Sequence, residues 1–228
     1  MESVKYVLGV QGHMKFLVIT DLHQKKSALG WINDILAKRG IDTVLFLGDV
    51  TDMGTADDAI DIVKGIDAKT YVLPGNCDPR DLPERISSVA TDMHGKSAEI
   101  GGIYVAGLGG SNITIFGTPF ELTEEEIDGK LRPLCRKGML LMTHAPSYGT
   151  LDHIPNGMSV GSPAIAKIVE DFRPIAALSG HIHEDIGCFE RDGTLFLNPG
   201  PAKDGYSAIL TIEGGKASAE LLGPTDPA

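Results

Sequence analysis

Short apolar runs that stop on a polar residue recur along the chain. Residues 16–19 lead to Asp21 and His23, 44–47 to Gly48-Asp49, and 71–73 to Gly75-Asn76. Residues 139–142 lead to His144, and 175–178 to Gly180-His181 and His183. Each run is too short for a helix and rich in Val, Ile, Leu and Phe, the pattern of a strand buried on both faces. Helical spacing fills most of the gaps. Residues 24–39 carry Leu29, Ile32 and Leu36 and close on Gly40; residues 56–64 close on Gly65. Residues 123–131 hold three glutamates in their first turn, and 163–172 begin with Pro163 and stop before Pro174.

This alternation predicts a largely parallel central sheet, with ligands at the carboxyl ends of its strands, where one rim would collect all the polar residues. Segments 98–100, 103–106, 186–190, 194–197, 207–212 and 216–222 read as antiparallel strands. Turns are signalled at Gly101-Gly102, Asp192-Gly193 and Gly214-Gly215, so a second sheet is expected. The fold class is therefore α/β, with two sheets packed face to face and helices outside.

Length and charge narrow the picture. The 228 residues suit one large domain over 14–228, with 1–13 an N-terminal extension or extra strand. Lys and Arg total 20 against 31 Asp and Glu, a net charge of −11 that speaks against coating extended nucleic acid. Cys77, Cys135 and Cys188 form no CxxC pair and are odd in number, which points to a reducing, cytoplasmic setting. No apolar stretch is long enough to span a membrane, and no membrane partner is expected.

The expected rim holds Asp21, His23, Asp49, Asn76, His144, His181 and His183: imidazoles, carboxylates and one amide oxygen. Such a mixed set favours first-row divalent metals. Seven donors exceed one tetrahedral site; with one shared carboxylate they divide into two, the arrangement that clamps both oxygens of an in-line phosphoryl displacement. Each piece also has a plainer reading. Asp21 could cap a helix with Gln24 as its box partner, and Gly48-Asp49 and Gly75-Asn76 are ordinary turn dipeptides. His144 alone reads as a half-buried histidine, and 180–183 as an exposed strand face. Five such endings in one chain favour the metal reading. The glycines at 107, 109 and 110 do not make a dinucleotide fingerprint, because Asn112 replaces the third glycine and no helical pattern follows.

In order, the blocks DxH, GD, GN, a His after a strand, and GHxH resemble those of the calcineurin-like metallophosphoesterases over residues 14–198. Residues 107–121, 143–146 and 180–183 look like the Icc-related phosphoesterases of prokaryotes. The resemblance implies a four-layer α/β/β/α sandwich of two mixed sheets, the metallophosphoesterase fold. It implies one metal held by Asp21, His23, Asp49 and His183, and a second by Asp49, Asn76, His144 and His181, with Asp49 bridging. It further implies hydrolysis of a small phosphoester by a hydroxide shared between two divalent transition metal ions, with Asn76 and His144 stabilising the transition state. Mn is first choice among them, and Fe, Zn, Ni or Mg are alternatives. Homo-oligomerisation stays open. A scaffold that has lost turnover and a nuclease are the competing readings; the full ligand set speaks against the first and the absence of a basic run against the second.

The chain departs from many of these relatives after Gly-Asn, where Cys77 and then Asp78 stand in place of a His thought to protonate the leaving oxygen. A thiol, with an ordinary pKa of about 8.5, donates a proton less readily near neutrality than imidazolium. Phosphodiesters with good leaving groups are the expected substrates, with Cys77, Asp78 or His153 as proton donors. Cys77 reads equally well as a small buried residue. Ser111 and Asn112 are expected near the phosphate or in a plain turn, and Asn198-Pro199-Gly200 in a structural turn.

Overall fold

The computed structural model describes residues 13–224, so most of the 1–13 segment considered above lies outside the described residues. The apolar runs become strands in two six-stranded sheets. From edge to edge, the first contains Lys216–Leu222 (β14), Ser207–Glu213 (β13), Met14–Ile19 (β1), Thr43–Phe46 (β2), Lys69–Val72 (β3) and Thr91–Asp92 (β4). The second contains Gly187–Arg191 (β11), Thr194–Asn198 (β12), Ala176–Leu178 (β10), Leu140–Thr143 (β9), Ile103–Leu108 (β6) and Lys96–Ile100 (β5). In the first sheet β1 to β4 run parallel and the β13–β14 hairpin pairs antiparallel with β1. In the second, β6, β9, β10 and β12 run parallel between the antiparallel edges β5 and β11.

Alternation along each strand builds three apolar interfaces. Phe16 and Val18 of β1, with Leu45 of β2, face Val105, Leu140, Met142 and Leu178 of the other sheet. Leu17, Ile19, Val44 and Phe46 point the other way, onto Ile32, Ile35 and Leu36 of Ala28–Arg39 (α1) and Ala59 and Ile62 of Ala56–Val63 (α2). On the far side, Ala106, Leu141 and Ala177 pack against Ile127 and Leu131 of Glu124–Leu131 (α4) and Ile165 and Ile168 of Pro163–Phe172 (α5). Burying one such side chain contributes about 1.5–3 kcal/mol. The result is the α/β/β/α sandwich, in which both sheets are covered on both faces. Among the described residues no helix is long and apolar enough to cross a membrane.

Three expectations are corrected. The five polar-ended runs do not share one parallel sheet: β1, β2 and β3 belong to the first and β9 and β10 to the second, while the hairpins are shared out as edges of both. α1 starts at Ala28 and not Gln24, because Asp21, His23 and Gln24 take left-handed φ values of 53°, 46° and 59°, which no helix can contain. Short elements also appear where the apolar pattern is too brief to show them: Leu82–Arg85 (α3), β4, and the parallel pair Ser111–Asn112 (β7) and Glu121–Leu122 (β8).

The loops after β2 and β3 cross at their glycines. Gly48, at φ 116°, lies so close to Gly75 that a Cβ on it would come within 2.7 Å of the Gly75 backbone; a Cβ on Gly75 would strike the Asp49 backbone nitrogen and carboxylate. Gly75→Ala is therefore expected to destabilise the chain by about 1–3 kcal/mol, the usual range for overpacking, read as a lower midpoint in urea unfolding. An unchanged midpoint would show that the crossing can relax.

Candidate metal centre

The loops leaving β1, β2, β3, β9 and β10 meet at one end of the sandwich, stitched by backbone bonds. Asp21 N donates to Gly48 O (2.9 Å), His23 N to Asp49 O (3.0 Å), and Gly180 N to His144 O (3.0 Å). Asp21, His23, Asp49 and His181 all adopt positive φ, at 53°, 46°, 51° and 68°. Such conformations cost about 1–3 kcal/mol each and persist where surrounding structure enforces them. Here they rule out the helix-cap reading of Asp21. Its Oδ2 accepts instead from Thr20 Oγ1 (2.8 Å) and the His181 backbone N (3.0 Å).

The side chains fall into two overlapping groups. Asp21, His23 and His183 place one ligand atom each within 4.8 Å of one another, and so do Asp21, Asp49 and His144. His183 Nε2 stands 3.2 Å from Asp21 Oδ1 and 3.4 Å from His23 Nε2. Asp49 faces both groups, with Oδ2 3.7 Å from His23 Nε2 and Oδ1 3.6 Å from His144 Nε2. The His181 ring lies edge-on to that of His144, centroids 5.1 Å apart.

Two observations test whether this set fits metal ions. Asp21 Oδ1 is buried and makes no well-formed hydrogen bond; its nearest donor atom is His183 Nε2 at 3.2 Å. His144 is wholly buried, which pushes its imidazole pKa down and keeps the ring neutral; its Nδ1 donates to the Leu47 carbonyl at 3.0 Å. Nε2 therefore carries a lone pair, yet it faces Asn76 Oδ1 at 2.9 Å. The Asn76 amide cannot be turned round, because Nδ2 donates to Thr118 Oγ1 (3.1 Å), whose own proton goes to Glu121 Oε1 (2.7 Å). Two acceptors aimed at each other with no proton between them suit a cation.

Charge tells the same story. Burial works to raise the Asp21 pKa, but His183, 3.2 Å from its carboxylate, holds it below the usual range. Burial, with repulsion from Asp21 and Asp78, pushes Asp49 well up. Burial pushes the His181 imidazole down to about 3, so the ring is neutral, as a metal ligand must be.

The supporting residues were less visible in sequence. Thr118 and Glu121 orient Asn76, and Glu121 also accepts from Thr118 N (2.9 Å) and Thr114 Oγ1 (2.6 Å). Asn198, read as part of a plain turn, donates Nδ2 to the carbonyls of Ile182 (2.7 Å) and Asp185 (3.1 Å), holding the loop of His181 and His183. An amide following a buried strand was the only signal for it.

Four other candidates lie outside the seven-residue set. Asp78 is fully buried, and its carboxylate accepts from the backbone N–H groups of Val50, Thr51 and Gly75 and from Thr51 Oγ1 at 2.8–3.1 Å, so it binds the two crossing loops together and has no free oxygen to carry a proton. Ser111 donates to Asn112 O (2.9 Å) and Asn112 Nδ2 to Val160 O (3.1 Å), committing both side chains to the backbone. His153 is half exposed and bonded through Nδ1 to Asp185 Oδ2 at 2.8 Å. Cys77 does lie at the centre, its backbone N donating to Asp49 Oδ1 (2.8 Å), while burial and the Asp49 carboxylate push its thiol pKa up.

Comparison with known proteins shows the fold and the family. An uncharacterized protein of Methanocaldococcus jannaschii is 36% identical over 200 residues, covering 83% of this chain and 89% of its own. A dimetal phosphatase from Danio rerio superposes with a TM-score of 0.67 at 13% identity, over 93% of this chain and 97% of its own. An archaeal phosphodiesterase does so with a TM-score of 0.57 at 16% identity, over 92% of this chain and all of its own. At those identities the two solved structures show a shared fold. The sequence profile of the calcineurin-like phosphoesterases matches residues 14–185, the stretch that carries every side chain of the centre, and the chain belongs to that family of metal-dependent phosphoesterases.

Proposed function

We propose that this phosphoesterase is a dinuclear enzyme that prefers small phosphodiesters with good leaving groups. The observation that carries the reading is the position of Asp49, which offers one oxygen to the His23 group and the other to the His144 group. Asp21, His23, Asp49 and His183 would hold one ion, and Asp49, Asn76, His144 and His181 the other. When bound, a divalent pair lowers the pKa of water and neutralises the phosphoryl oxygens. Mn2+ is the first candidate because the donors mix imidazole with carboxylate and amide oxygen; Fe, Zn, Ni and Mg are the alternatives.

The protein's own part is positional. Glu121, through Thr118, keeps the Asn76 oxygen turned inward, and the Leu47 carbonyl keeps His144 Nε2 free of a proton. Cys77 occupies the place beside Asn76 without supplying an imidazole, so no strong proton donor adjoins the amide. Alkoxide leaving groups suffer most from that lack, and aryl esters least. Exposed Met53, whose backbone N reaches Cys77 O (3.1 Å), and exposed Ile113, Ile115 and Phe116 lie on loops tied to the centre through Cys77 and Thr118, apolar surface that an aryl arm could use.

Asp49→Asn is expected to lower turnover of an aryl diester more than 100-fold after reconstitution with Mn2+, beyond the roughly 10–100-fold usual for an outer partner. Full turnover in that variant would remove the bridging role. Thr118→Val is expected to weaken the second ion by about 10–100-fold in a metal titration, leaving the first unchanged. On a matched panel the wild type should cleave aryl diesters faster than alkyl monoesters, and Cys77→His should narrow the gap; a monoester-dominated profile would end the diester assignment.

A further inference from the structure

Three buried side-chain oxygens lack a hydrogen-bond partner among the described residues, and two belong to carboxylates: Asp21 Oδ1 and Asp152 Oδ1. The first lies in the centre above. The second lies in a separate cluster that uses none of its seven side chains.

Asp152 follows β9 by a loop and is wholly buried. Its Oδ2 accepts from Gly149 N and Gly161 N, each at 2.9 Å, and closes that loop on itself. Oδ1 has no such bond. His153 Nδ1 lies 3.9 Å from Oδ1 and 2.8 Å from Asp185 Oδ2, and one ligand atom from each residue falls within 4.8 Å of the other two. Ligand atoms bonded to one ion at about 2.0–2.2 Å stand roughly 3–4 Å from each other. The cluster needs only a slight contraction to reach that spacing.

Hydrogen bonding alone leaves the cluster incomplete. The single Nδ1 proton can serve Asp185, which also accepts from the His153 backbone N at 2.8 Å, but Asp152 Oδ1 is then left with nothing. An unsatisfied buried group costs about 1–3 kcal/mol, and more when charged. A divalent cation in place of that proton satisfies all three atoms and cancels two carboxylate charges.

We propose that Asp152, His153 and Asp185 bind a third divalent cation, of the first-row transition class that a mixed imidazole and carboxylate set selects. Two carboxylates and one imidazole leave further positions on the ion for water, on the side where His153 is exposed. The ion would tie the loop of residues 149–161 to the loop that carries His181 and His183. Asn198 already holds that loop at the Ile182 and Asp185 carbonyls, and the ion would hold it at the Asp185 side chain. Its part is to brace a ligand-bearing loop.

The test is a metal count on the full chain, stripped with chelator, equilibrated with Mn2+ and freed of unbound metal. Three ions per chain are expected for the wild type and two for His153→Ala and Asp185→Asn, both of which replace side chains outside the core. Circular dichroism checks that the variants are folded. Electron paramagnetic resonance separates the sites: a solitary Mn2+ gives a six-line signal, unlike a coupled pair. That signal should vanish in His153→Ala and survive in Asp49→Asn. Absence of the solitary six-line Mn2+ signal from the wild type, or an unchanged count in both surface variants, would overturn the third site. Failure of the paired centre would be read apart from this, as the absence of a coupled spectrum in the wild type.

Discussion

Lone pairs converge at one end of this sandwich in greater number than the protons available to them. Asp21 Oδ1 is buried without a well-formed hydrogen bond, His144 Nε2 faces Asn76 Oδ1 at 2.9 Å, and Asp49 sits between two histidine groups with both oxygens engaged. A protein interior tolerates such acceptors only when positive charge balances them, since burying unpaired anions costs several kcal/mol each. Such an arrangement favours cations among the acceptors. The neighbouring structure acts to keep the acceptors facing one another.

That work is divided among several kinds of residue. Glycines at 48 and 75 let two loops approach to a separation that any Cβ would prevent, while Asp78 gathers donors from both loops on one carboxylate. Left-handed backbone at Asp21, His23, Asp49 and His181 fixes the aim of four candidate ligands at a local energetic cost. Asn198 and the pair Thr118 and Glu121 set the orientation of what remains. Beneath these loops, strands buried on both faces give a base with little freedom to shift.

Two sheets, and not one, bring the candidate ligands together. β1, β2 and β3 deliver Asp21, His23, Asp49 and Asn76, and β9 and β10 deliver His144, His181 and His183. The centre therefore straddles the intersheet core of Phe16, Val18, Leu45, Leu140 and Leu178, so ligand geometry and sheet packing are coupled. Residues that looked chemical in isolation can be absorbed by this packing, as Asp78, Ser111 and Asn112 were; their polar atoms are spent on backbone groups.

The amino-acid order by itself determined the longer strands, the longer helices to within a few residues, the hairpin turns and the seven polar side chains at strand ends, because local hydrophobic periodicity and turn chemistry act over a few neighbours. Tertiary structure decided what depends on partners distant along the chain. It placed the polar-ended strands in two sheets, and it cut α1 short, since residues 21–24 bond to the loop at 48–50. It also oriented Asn76 from 42 residues away and turned Asp78 from a candidate proton donor into a clamp. Which hydrogen bonds a carboxylate or amide makes is set by the groups that folding brings to it, and no local pattern records those groups.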